Sequence, residues 1–457
     1  MQLGFTNEPF TRRRGPPPPT TPAPGGGPSR RGLMYSAVFV DVLFVAGAVI
    51  IWFMIAYQFA LFVAGMIYSR ARGRVLADVP AGVDWPAVSI LVPARNEARV
   101  IRRTLESLLA LDYPADRLDI VVVDDGSEDG TGAIVALVAA RDARVRCLQI
   151  PPNRAGRGKA AALNVAFDQI GVDLIAIYDA DNRPEPGSLR VLVAGLVADP
   201  QLAAAAGKFR AINRHRTWLT RFVNIESVAF QWMVQAGRWA LLGVSTLPGT
   251  NFVIRRELLR RVGGWDEEAL TEDSELSIRL YETGHRIQFF PGAVTWEQEP
   301  ETLRVWFRQR TRWARGHNYV LAKHLGRLLT LRPRVLAFEM LYMLGIYYVV
   351  FAAITISNVL FVLALCGVVE IHALGPYAEI WTLAFALFVL EVSIALSREP
   401  GEDSLQNLLL VPLAYFTYCQ LWIPVVIRAF VHDFVLRRKR AWDKTERVAE
   451  PADGSEP

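Results

Sequence analysis

Long apolar stretches occupy both ends of this chain and enclose a middle part in which short apolar and polar runs alternate. The first stretch, residues 35–68, exceeds the roughly 20 residues that a helix needs to cross a bilayer. It is also longer than the apolar core of a signal peptide, so we predict a retained transmembrane helix. Arg70, Arg72 and Arg74 follow directly and predict that this end of the helix is cytoplasmic.

The second apolar part, residues 335–432, is long enough for several membrane-spanning helices. Residues 335–366 and 377–396 can each span the bilayer. Residues 405–432 can span once more, although their two prolines would kink the helix or leave its first part at the membrane surface. We therefore expect about three transmembrane helices in this part of the chain.

Between the two apolar parts, short apolar runs typical of buried strands alternate with amphipathic segments typical of helices. This rhythm predicts a mostly parallel, doubly wound α/β sheet with right-handed crossovers. Such sheets bind ligands in the crevice beyond the carboxyl ends of their strands. The predicted strands are 88–93, 118–123, 145–150 and 174–178, and the predicted helices are 98–109, 131–140 and 158–167.

Polar residues cluster directly after three of these strands. Asp179 and Asp181 end the fourth strand, and side chains two residues apart leave the same face of an extended chain. Two such carboxylates repel each other unless a cation lies between them, and Mg²⁺ or Mn²⁺ suits oxygen ligands and bridges carboxylates to phosphates. The triplet alone is more typical of a polar turn, but two further clusters follow neighbouring strands: Arg95 to Glu97 and Asp124 to Gly126.

Three other segments contain residues that could bind a substrate or take part in catalysis. Lys159 opens a predicted helix, where its ammonium and the free backbone N–H groups could meet a diphosphate. Glu272 and Asp273 precede a helical pattern, which is consistent with N-terminal capping or with a general base. Gln309, Arg312 and Trp313 share one helix face, which is consistent with a basic membrane-surface stripe or with a site that holds a phosphate and a sugar.

These last residues lie in residues 300–329, which have the amphipathic pattern of a helix at the bilayer surface. Aromatic residues recur at helical spacing with arginines between them. We expect a second helical piece to begin at His317, after Gly316.

The composition excludes several classes of protein. The net charge of the 457 residues is only +5, and arginines cluster beside apolar segments, which favours anionic lipid headgroups over nucleic acid as a partner.

Cys147, Cys366 and Cys419 lack paired spacing, so neither a disulfide framework nor a thiolate metal site is indicated. The histidines show no zinc spacing. Residues 1–34, rich in Pro, Gly and Arg, are expected to be disordered, and residues 433–457 form a basic and polar tail.

Five motifs in order carry a resemblance to a known family. The chain resembles the membrane-bound, processive family-2 glycosyltransferases, which include cellulose, chitin, hyaluronan and poly-N-acetylglucosamine synthases. The resemblance extends from residue 88 to the last apolar segment. The motifs are Val92-Pro93 with Asn96-Glu97, Val123 to Gly126, Asp179 with Asp181, Thr271 to Asp273, and Gln309 with Arg312-Trp313.

The resemblance implies a GT-A fold and an inverting transfer from a UDP-sugar to a growing β-linked polysaccharide. It implies that Asp273, with Glu272, acts as the general base and that Asp181, with Asp179, binds Mg²⁺ or Mn²⁺. It further implies a donor site of Pro93, Arg95, Glu97, Asp124, Asp125, Lys159 and Asp179, and an acceptor and diphosphate site of Gln309, Arg312, Trp313, Gly249, Thr250 and Asn251.

Some features leave alternatives open. Arg95 stands where many members of the family have an aromatic residue, which puts base stacking there in doubt. The same motifs occur in glycolipid synthases that add one sugar to a lipid such as diacylglycerol, so this product remains an alternative; a non-catalytic membrane scaffold or transporter fits the acidic residues poorly. Neither the sugar, the linkage nor the oligomeric state follows from the sequence.

The expected organisation is an integral protein of the cell membrane with a cytosolic catalytic domain. The expected segments are a tail (1–34), a transmembrane helix (35–68), a GT-A domain (85–300), interfacial helices (301–333), about three transmembrane helices (335–432) and a tail (433–457). One helix before the domain and three after it would put both tails outside. Their arginine clusters oppose that arrangement, because positive charge favours the cytoplasmic side.

Overall fold

The computed structural model of the protein describes residues 30–72, 84–371 and 377–439. Most of the two predicted tails, and Arg74 in the predicted cytoplasmic arginine cluster, therefore lie outside the described residues. The middle of the chain forms a sheet domain, and the apolar helices pack beside it.

Within the described residues, eight strands form one sheet in the order β3-β2-β1-β4-β7-β6-β8-β5. The first four strands are parallel, as the alternating pattern predicted. The other half is mixed, because β7 pairs antiparallel with both β4 and β6. The strands are β1 (Val88–Ala94), β2 (Leu118–Asp124), β3 (Val145–Gln149), β4 (Leu174–Ile177), β5 (Arg183–Pro184), β6 (Leu202–Ala211), β7 (Phe252–Arg255) and β8 (Arg286–Glu297).

Helices cover both faces of the sheet, which explains why the central strands β1, β2 and β4 have buried apolar residues at successive positions rather than at every second one. Leu91 and Val121 belong to one core and Ile90 and Val122 to the other, and all four are fully buried. The helices of this domain are α2 (Ile101–Leu109), α3 (Thr131–Ala139), α4 (Lys159–Phe167), α5 (Ser188–Ala198), α8 (Arg256–Arg261) and α9 (Glu272–Glu282).

Three helical segments of the described chain are long and apolar enough to cross a membrane: Val38–Arg70, Arg334–Ala364 and Glu379–Leu396. They belong to α1 (Arg30–Arg72), to α11 (Arg334–Leu344) continued through a π-helical turn into α12 (Phe351–Leu365), and to α13 (Tyr377–Leu396). The last predicted span is a helix pair bent by 43°. Its first member is α14 (Leu405–Phe416), and its second is the helical stretch Tyr418–Val435, which contains α15 (Trp422–Phe430).

A second group of helices joins α1 to the sheet domain. It consists of α6 (Trp218–Ala229), a π-helical turn (Phe230–Gln235) and α7 (Ala236–Leu242). The contact with α1 is close because both sides have a glycine there. A Cβ on Gly65 would lie 2.2 Å from the carbonyl oxygen of Trp232, and a Cβ on Gly237 would lie 2.2 Å from that of Leu61.

The amphipathic segment forms one continuous helix, α10 (Leu303–Leu325). The predicted break at Gly316 is therefore wrong. Gly316 lies inside the helix, where a Cβ would lie 2.5 Å from the side chain of Thr271. The glycine thus permits close packing between α10 and the segment that begins α9, rather than ending a helix.

The link between α13 and α14 is held by buried ion pairs with the sheet domain. Glu399 pairs with Lys208 of β6 and accepts a hydrogen bond of 2.7 Å from the indole of Trp232. Glu402 pairs with Arg210 at 2.9 Å and with Arg214 at 3.0 Å. Because both carboxylates are almost fully buried and paired with arginine or lysine, this end of α13 is fixed to the domain.

Candidate active site

A cavity of about 580 Å³ lies between the carboxyl ends of the parallel strands and the helices that face the apolar part. The side chains on its wall come from the loops after β1, β2 and β4 and from helices that include α1, α4, α6, α7, α9, α10, α11 and α15. Fourteen of the sixteen site residues expected from the sequence line this cavity, although they are distributed over 220 positions of the chain. They are Pro93, Arg95, Glu97, Asp125, Lys159, Asp179, Asp181, Gly249, Thr250, Glu272, Asp273, Gln309, Arg312 and Trp313.

Two of the expected site residues, Asp124 and Asn251, are not on the cavity wall. The carboxylate of Asp124 accepts a hydrogen bond of 2.9 Å from the backbone N–H of Ser127 and so shapes the turn after β2. Asn251 is fully buried, and its amide donates to the carbonyl oxygens of Lys208 and Ala293. Both residues support the site from behind.

Asp125 and Arg95 form the end of the cavity beside the first two strands. The backbone N–H of Gly156 donates to Asp125 Oδ1 at 2.7 Å. Gly156 has a φ of +75°, and a Cβ there would lie 3.0 Å from the guanidinium of Arg95. Burial raises the pKa of Asp125, while the Gly156 N–H and the Arg95 charge act in the opposite direction. A carboxylate beside a guanidinium offers an acceptor and a planar cation to a ligand.

Lys159 lies in the middle of the cavity and contacts residues on both sides of it. Its Nζ lies 2.6 Å from Asp179 Oδ1, 2.7 Å from the carbonyl oxygen of Gly249 and 3.5 Å from Glu272 Oε1. Burial alone would lower the pKa of Lys159, but the Asp179 and Glu272 carboxylates raise it above its usual value. The lysine therefore stays charged and joins the Asp179 side of the site to the Glu272 side.

The two expected metal ligands, Asp179 and Asp181, both line the cavity. Asp179 pairs with Lys159 at 2.6 Å, and Asp181 accepts a 3.3 Å hydrogen bond from the backbone N–H of Gln298. In the part of the chain that the structure describes, no three His, Cys, Asp or Glu residues form a ready-made metal group. One or two carboxylates on a cavity wall fit Mg²⁺ or Mn²⁺ held mainly by the phosphates of a substrate.

Asp273 lies in the first turn of α9 with its carboxylate on the cavity wall. The adjacent backbone N–H of Ser274 donates to its Oδ1 at 2.7 Å. Burial is the main cause that raises the pKa of Asp273, and the neighbouring Glu272 carboxylate raises it further, to about 7. A carboxylate with such a pKa can accept a proton near neutral pH, as a general base must.

The start of α9 does not follow the ordinary capping arrangement. Thr271 occupies the N-cap position, but its side chain makes no capping hydrogen bond. Its side chain instead packs against Gly316 of α10. The three acidic residues of the first turn lie where the helix dipole favours negative charge.

Two residues that the sequence did not single out support the α10 side of the cavity. Arg310 is 1% exposed, and its guanidinium lies 4.0 Å from the ring centre of Trp313. Glu226 of α6 accepts a 2.7 Å hydrogen bond from this guanidinium. The motif spacing showed that Gln309, Arg312 and Trp313 share a face, but gave no sign that Arg310 would be buried and paired. The one sequence feature that could have drawn attention to Glu226 is that it is the single acidic residue in α6.

His317 also lines the cavity, one helical turn after Trp313. Its Nδ1 lies 2.8 Å from the hydroxyl oxygen of Tyr347. Burial lowers the pKa of His317 to about 4, so its imidazole is neutral at physiological pH. The sequence indicated only that this histidine lacks zinc-ligand spacing.

Comparisons with known proteins agree with this arrangement. Residues 86–316 match the family model described as "Glycosyltransferase like family 2". The chain is 43% identical over 420 residues to the probable glycosyltransferase YdaM of Bacillus subtilis (strain 168), which covers 91% of this chain and 100% of that protein. It is 26% identical over 291 residues to the poly-beta-1,6-N-acetyl-D-glucosamine synthase of Staphylococcus aureus (strain COL), covering 64% of this chain and 66% of that protein.

The fold is also similar to a solved structure. The mannosyltransferase PcManGT from Pyrobaculum calidifontis, in complex with GDP-Man and Mn²⁺, has a TM-score of 0.50 and 23% sequence identity. The similarity covers 81% of this chain and 99% of that chain. At this level of identity the likeness shows the fold alone.

Proposed function

Because the chain belongs to glycosyltransferase family 2, we propose that it is an inverting enzyme that moves a sugar from a UDP-sugar to a growing β-linked polysaccharide. One observation carries the proposal. Asp179 and Asp181, the raised-pKa carboxylate of Asp273, and Trp313 all face one cavity. The Staphylococcus aureus relative, named for its N-acetylglucosamine polymer, makes UDP-N-acetylglucosamine the first donor to test and UDP-glucose the second.

On the donor side, Arg95 and Asp125 would hold the nucleoside, and Lys159 would hold the diphosphate. Lys159 is buried, charged and directed at the cavity, which suits a phosphate ligand. Asp181, with Asp179 beside it, would bind Mg²⁺ or Mn²⁺ together with the diphosphate. When bound, that ion would neutralise part of the negative charge on the leaving diphosphate.

On the acceptor side, Asp273 would take the proton of the attacking hydroxyl. The hydroxyl oxygen forms a bond to the anomeric carbon, the bond from that carbon to the diphosphate breaks, and UDP leaves. Gln309 and Arg312 would hold the departing diphosphate, and Trp313 would stack on the acceptor sugar. The position of Gly249 against Asp273 supports this geometry, because a Cβ at Gly249 would lie 3.0 Å from Asp273 Oδ2.

The cavity wall nearest α1 and α11 supports a carbohydrate acceptor. Arg238 and Glu339 form a buried ion pair there, and Gln58 donates to the hydroxyl of Tyr342 at 2.7 Å. Among the described residues, Arg238 Nε, Glu339 Oε1 and Gln58 Oε1 have no hydrogen-bond partner. Sugar hydroxyls could satisfy these atoms, whereas an acyl chain would leave them buried and unpaired.

We further propose that the sheet domain is cytosolic and that three helices cross the membrane. Nucleotide sugars are cytosolic, so the cavity must open to that side. The bent pair α14–α15 touches the sheet domain and its flanking helices at its start, middle and end. Arg221 donates to Asn407, Trp306 donates to Tyr418, and Asp433 pairs with Arg315. A pair held at three points along the domain would lie at the membrane surface.

Membranes that contain the protein, supplied with radiolabelled UDP-N-acetylglucosamine or UDP-glucose, test the proposed reaction. We expect label in a high-mass product that a matching glycoside hydrolase degrades. Label found only in organic-soluble lipid would contradict the polymer product and support a glycolipid synthase. Absence of any transfer from either donor would contradict the proposed function as a whole.

The variant Asp273→Asn tests whether Asp273 is the general base. Its amide keeps the shape of the side chain but cannot accept the proton, so we expect transfer to fall by at least about a hundredfold. We expect UDP binding, measured by calorimetry, to stay close to that of the unmodified protein. Substantial residual transfer by Asp273→Asn would refute the role of this residue as the base.

A further inference from the structure

A second tryptophan faces the cavity on the acceptor side. Trp422, the first residue of α15, lines the cavity together with Trp313 of α10. The guanidinium of Arg310 lies between the two rings, 4.0 Å from the centre of Trp313 and 5.8 Å from that of Trp422. The C-terminal helix pair therefore contributes directly to the wall beside the expected acceptor platform.

Glu226 fixes the orientation of Trp422. Its Oε1 accepts a 2.7 Å hydrogen bond from the indole N–H of Trp422. Its Oε2 accepts from Arg310 at 2.7 Å and from the hydroxyl of Tyr418 at 2.7 Å. With both oxygens occupied and an arginine beside it, Glu226 is suited to positioning its neighbours rather than to proton transfer.

Comparison of Trp422 with Trp306 distinguishes a tryptophan that can bind a ligand from one that only packs. Trp306 belongs to the same aromatic cluster, with its ring centre 6.1 Å from that of Trp422. It is fully buried, and its N–H donates to Tyr418 at 3.0 Å, but it does not reach the cavity. Trp422 is only partly buried and borders the cavity, although its one polar atom is already bonded. What it offers to a ligand is therefore an apolar ring surface.

We propose that Trp422 is a second sugar-binding residue on the acceptor side and that Glu226 positions it. An indole with its N–H held from behind presents a flat apolar surface, which suits the C–H face of a pyranose ring. Tyr347, whose ring centre lies 6.4 Å from that of Trp422, continues this wall, and His317 bonds to its hydroxyl. The inference rests on the proposed transferase function and specifies which residues bind its acceptor.

Kinetics of Trp422→Leu and Glu226→Gln test the proposal, with a β-1,6-linked N-acetylglucosamine tetrasaccharide as the acceptor. For Trp422→Leu we expect the KM for the acceptor to rise about tenfold, the loss expected for one aromatic contact. Glu226→Gln replaces a carboxylate that accepts three hydrogen bonds with an amide, so we expect a rise in the same KM. For Trp422→Leu we expect UDP binding to change much less than the acceptor KM, because Trp422 lies beside Trp313 on the acceptor side of the cavity.

Trp85→Leu is the matched control. Trp85 is also partly buried, but it packs against Tyr113 and Arg190 away from the cavity. We expect its acceptor KM to equal that of the unmodified protein. An unchanged acceptor KM in folded Trp422→Leu, or equal losses of donor and acceptor binding, would overturn the proposal.

Fluorine NMR of the unmodified sequence reports acceptor binding at each tryptophan directly. Protein labelled with 5-fluorotryptophan gives a ¹⁹F signal for each indole, and single Trp→Phe variants assign them. We expect the tetrasaccharide to shift the signals of Trp313 and Trp422 but not that of Trp85. A shift of Trp313 alone would overturn the proposal. If the proposed transferase function is wrong, the unmodified protein will turn over no UDP-sugar. That result would overturn both the transferase function and the role of Trp422.

Discussion

At the scale of single residues, the environment of Asp273 predicts an unusual pH dependence. Burial and the Glu272 carboxylate raise its pKa to about 7, whereas an exposed aspartate has a pKa of about 4. The base must be ionised to accept a proton, so activity should fall as the pH drops through the raised pKa. We expect the acid limb of the kcat profile near neutrality, measured with saturating UDP-sugar.

The variant Glu272→Gln tests the cause of this shift. It removes the neighbouring negative charge, so we expect the acid limb of the remaining activity to move to lower pH. An acid limb that stays in place would show that another group controls it.

A glycine inside α10 couples the acceptor side to the general base. In Gly316→Ala the added Cβ would lie 2.5 Å from the side chain of Thr271, which is two residues from Asp273. We expect a loss of about 1–3 kcal/mol in stability and a fall in kcat of about tenfold or more, because small displacements of a catalytic group are costly. Thermal unfolding in detergent and transfer assays measure both.

Gly326→Ala is the control for this substitution. Gly326 lies at the end of the same helix, and a Cβ there would have no heavy atom within 4 Å. We expect unchanged kcat and equal or slightly higher stability, since alanine favours helical backbone more than glycine does. Equal effects of the two substitutions would contradict a specific role for the contact between Gly316 and Thr271.

At the scale of helices and strands, the contact between α1 and α7 depends on two glycines. In Gly237→Ala the added Cβ would lie 2.2 Å from the backbone oxygen of Leu61, and backbone cannot move aside as a flexible side chain can. We expect at least about 1–3 kcal/mol of destabilisation from this overpacking, measured as a lower Tm in detergent.

Gly47→Ala is the control: it adds the same methyl group to α1, the helix that α7 packs against. Its Cβ would have only the carbonyl oxygen of Ala353 nearby, at 3.8 Å. We expect no loss of Tm. A similar Tm for both variants would show that the close contact at Gly237 does not stabilise the protein.

The elements that were predictable from sequence are those fixed by local pattern. The first four strands were predicted to within one residue at each end, because each is a short segment rich in apolar residues that polar or glycine-containing segments flank. β7 and its antiparallel pairing were not predicted, since neighbour order in a sheet depends on contacts distant in sequence. The break predicted at Gly316 failed because tertiary packing against Thr271, not helix propensity, explains that glycine.

In the candidate site too, the residues in local motifs were predictable and those defined by distant contacts were not. Residues in recognisable motifs, such as Asp181 and Trp313, could be named in advance, and the structure brings them to one cavity. Glu226 and Trp422 could not, because each is an isolated residue whose meaning comes from partners far along the chain. Their hydrogen bond joins residues 196 positions apart.

At the scale of the molecule, the helix pair α14–α15 decides the side of the membrane on which the chain ends. The pair is long and apolar enough to cross the membrane only as a whole, because Leu405–Phe416 joins the helical residues Tyr418–Val435 at a 43° bend. α14 contacts α6, and the stretch that contains α15 contacts α10. If the pair stays on the cytosolic side, α1, α11–α12 and α13 are the three crossings. The sequence interpretation, which counted three crossings after the domain, then gives way to two.

This arrangement puts residue 439 in the cytosol and the end of α12 outside. It places the basic residues Arg437 to Lys439 on the side that positive charge favours. The natural cysteines supply one reporter, because Cys366 is exposed directly after α12. A form that retains only Cys366, with Cys147→Ser and Cys419→Ser, should react with a membrane-impermeant maleimide in intact cells.

A second form supplies the opposite reporter. In Lys439→Cys, with all three natural cysteines replaced by serine, we expect labelling only after the cells are permeabilised. UDP-sugar transfer by each form verifies that the protein is folded. Labelling of Lys439→Cys in intact cells would mean that the pair α14–α15 crosses the membrane, and its contacts with Glu226 and Arg315 would then have to be absent in the bilayer. The position of Trp422 in the acceptor wall would be lost with them, so the topology and the acceptor site are tested by the same outcome.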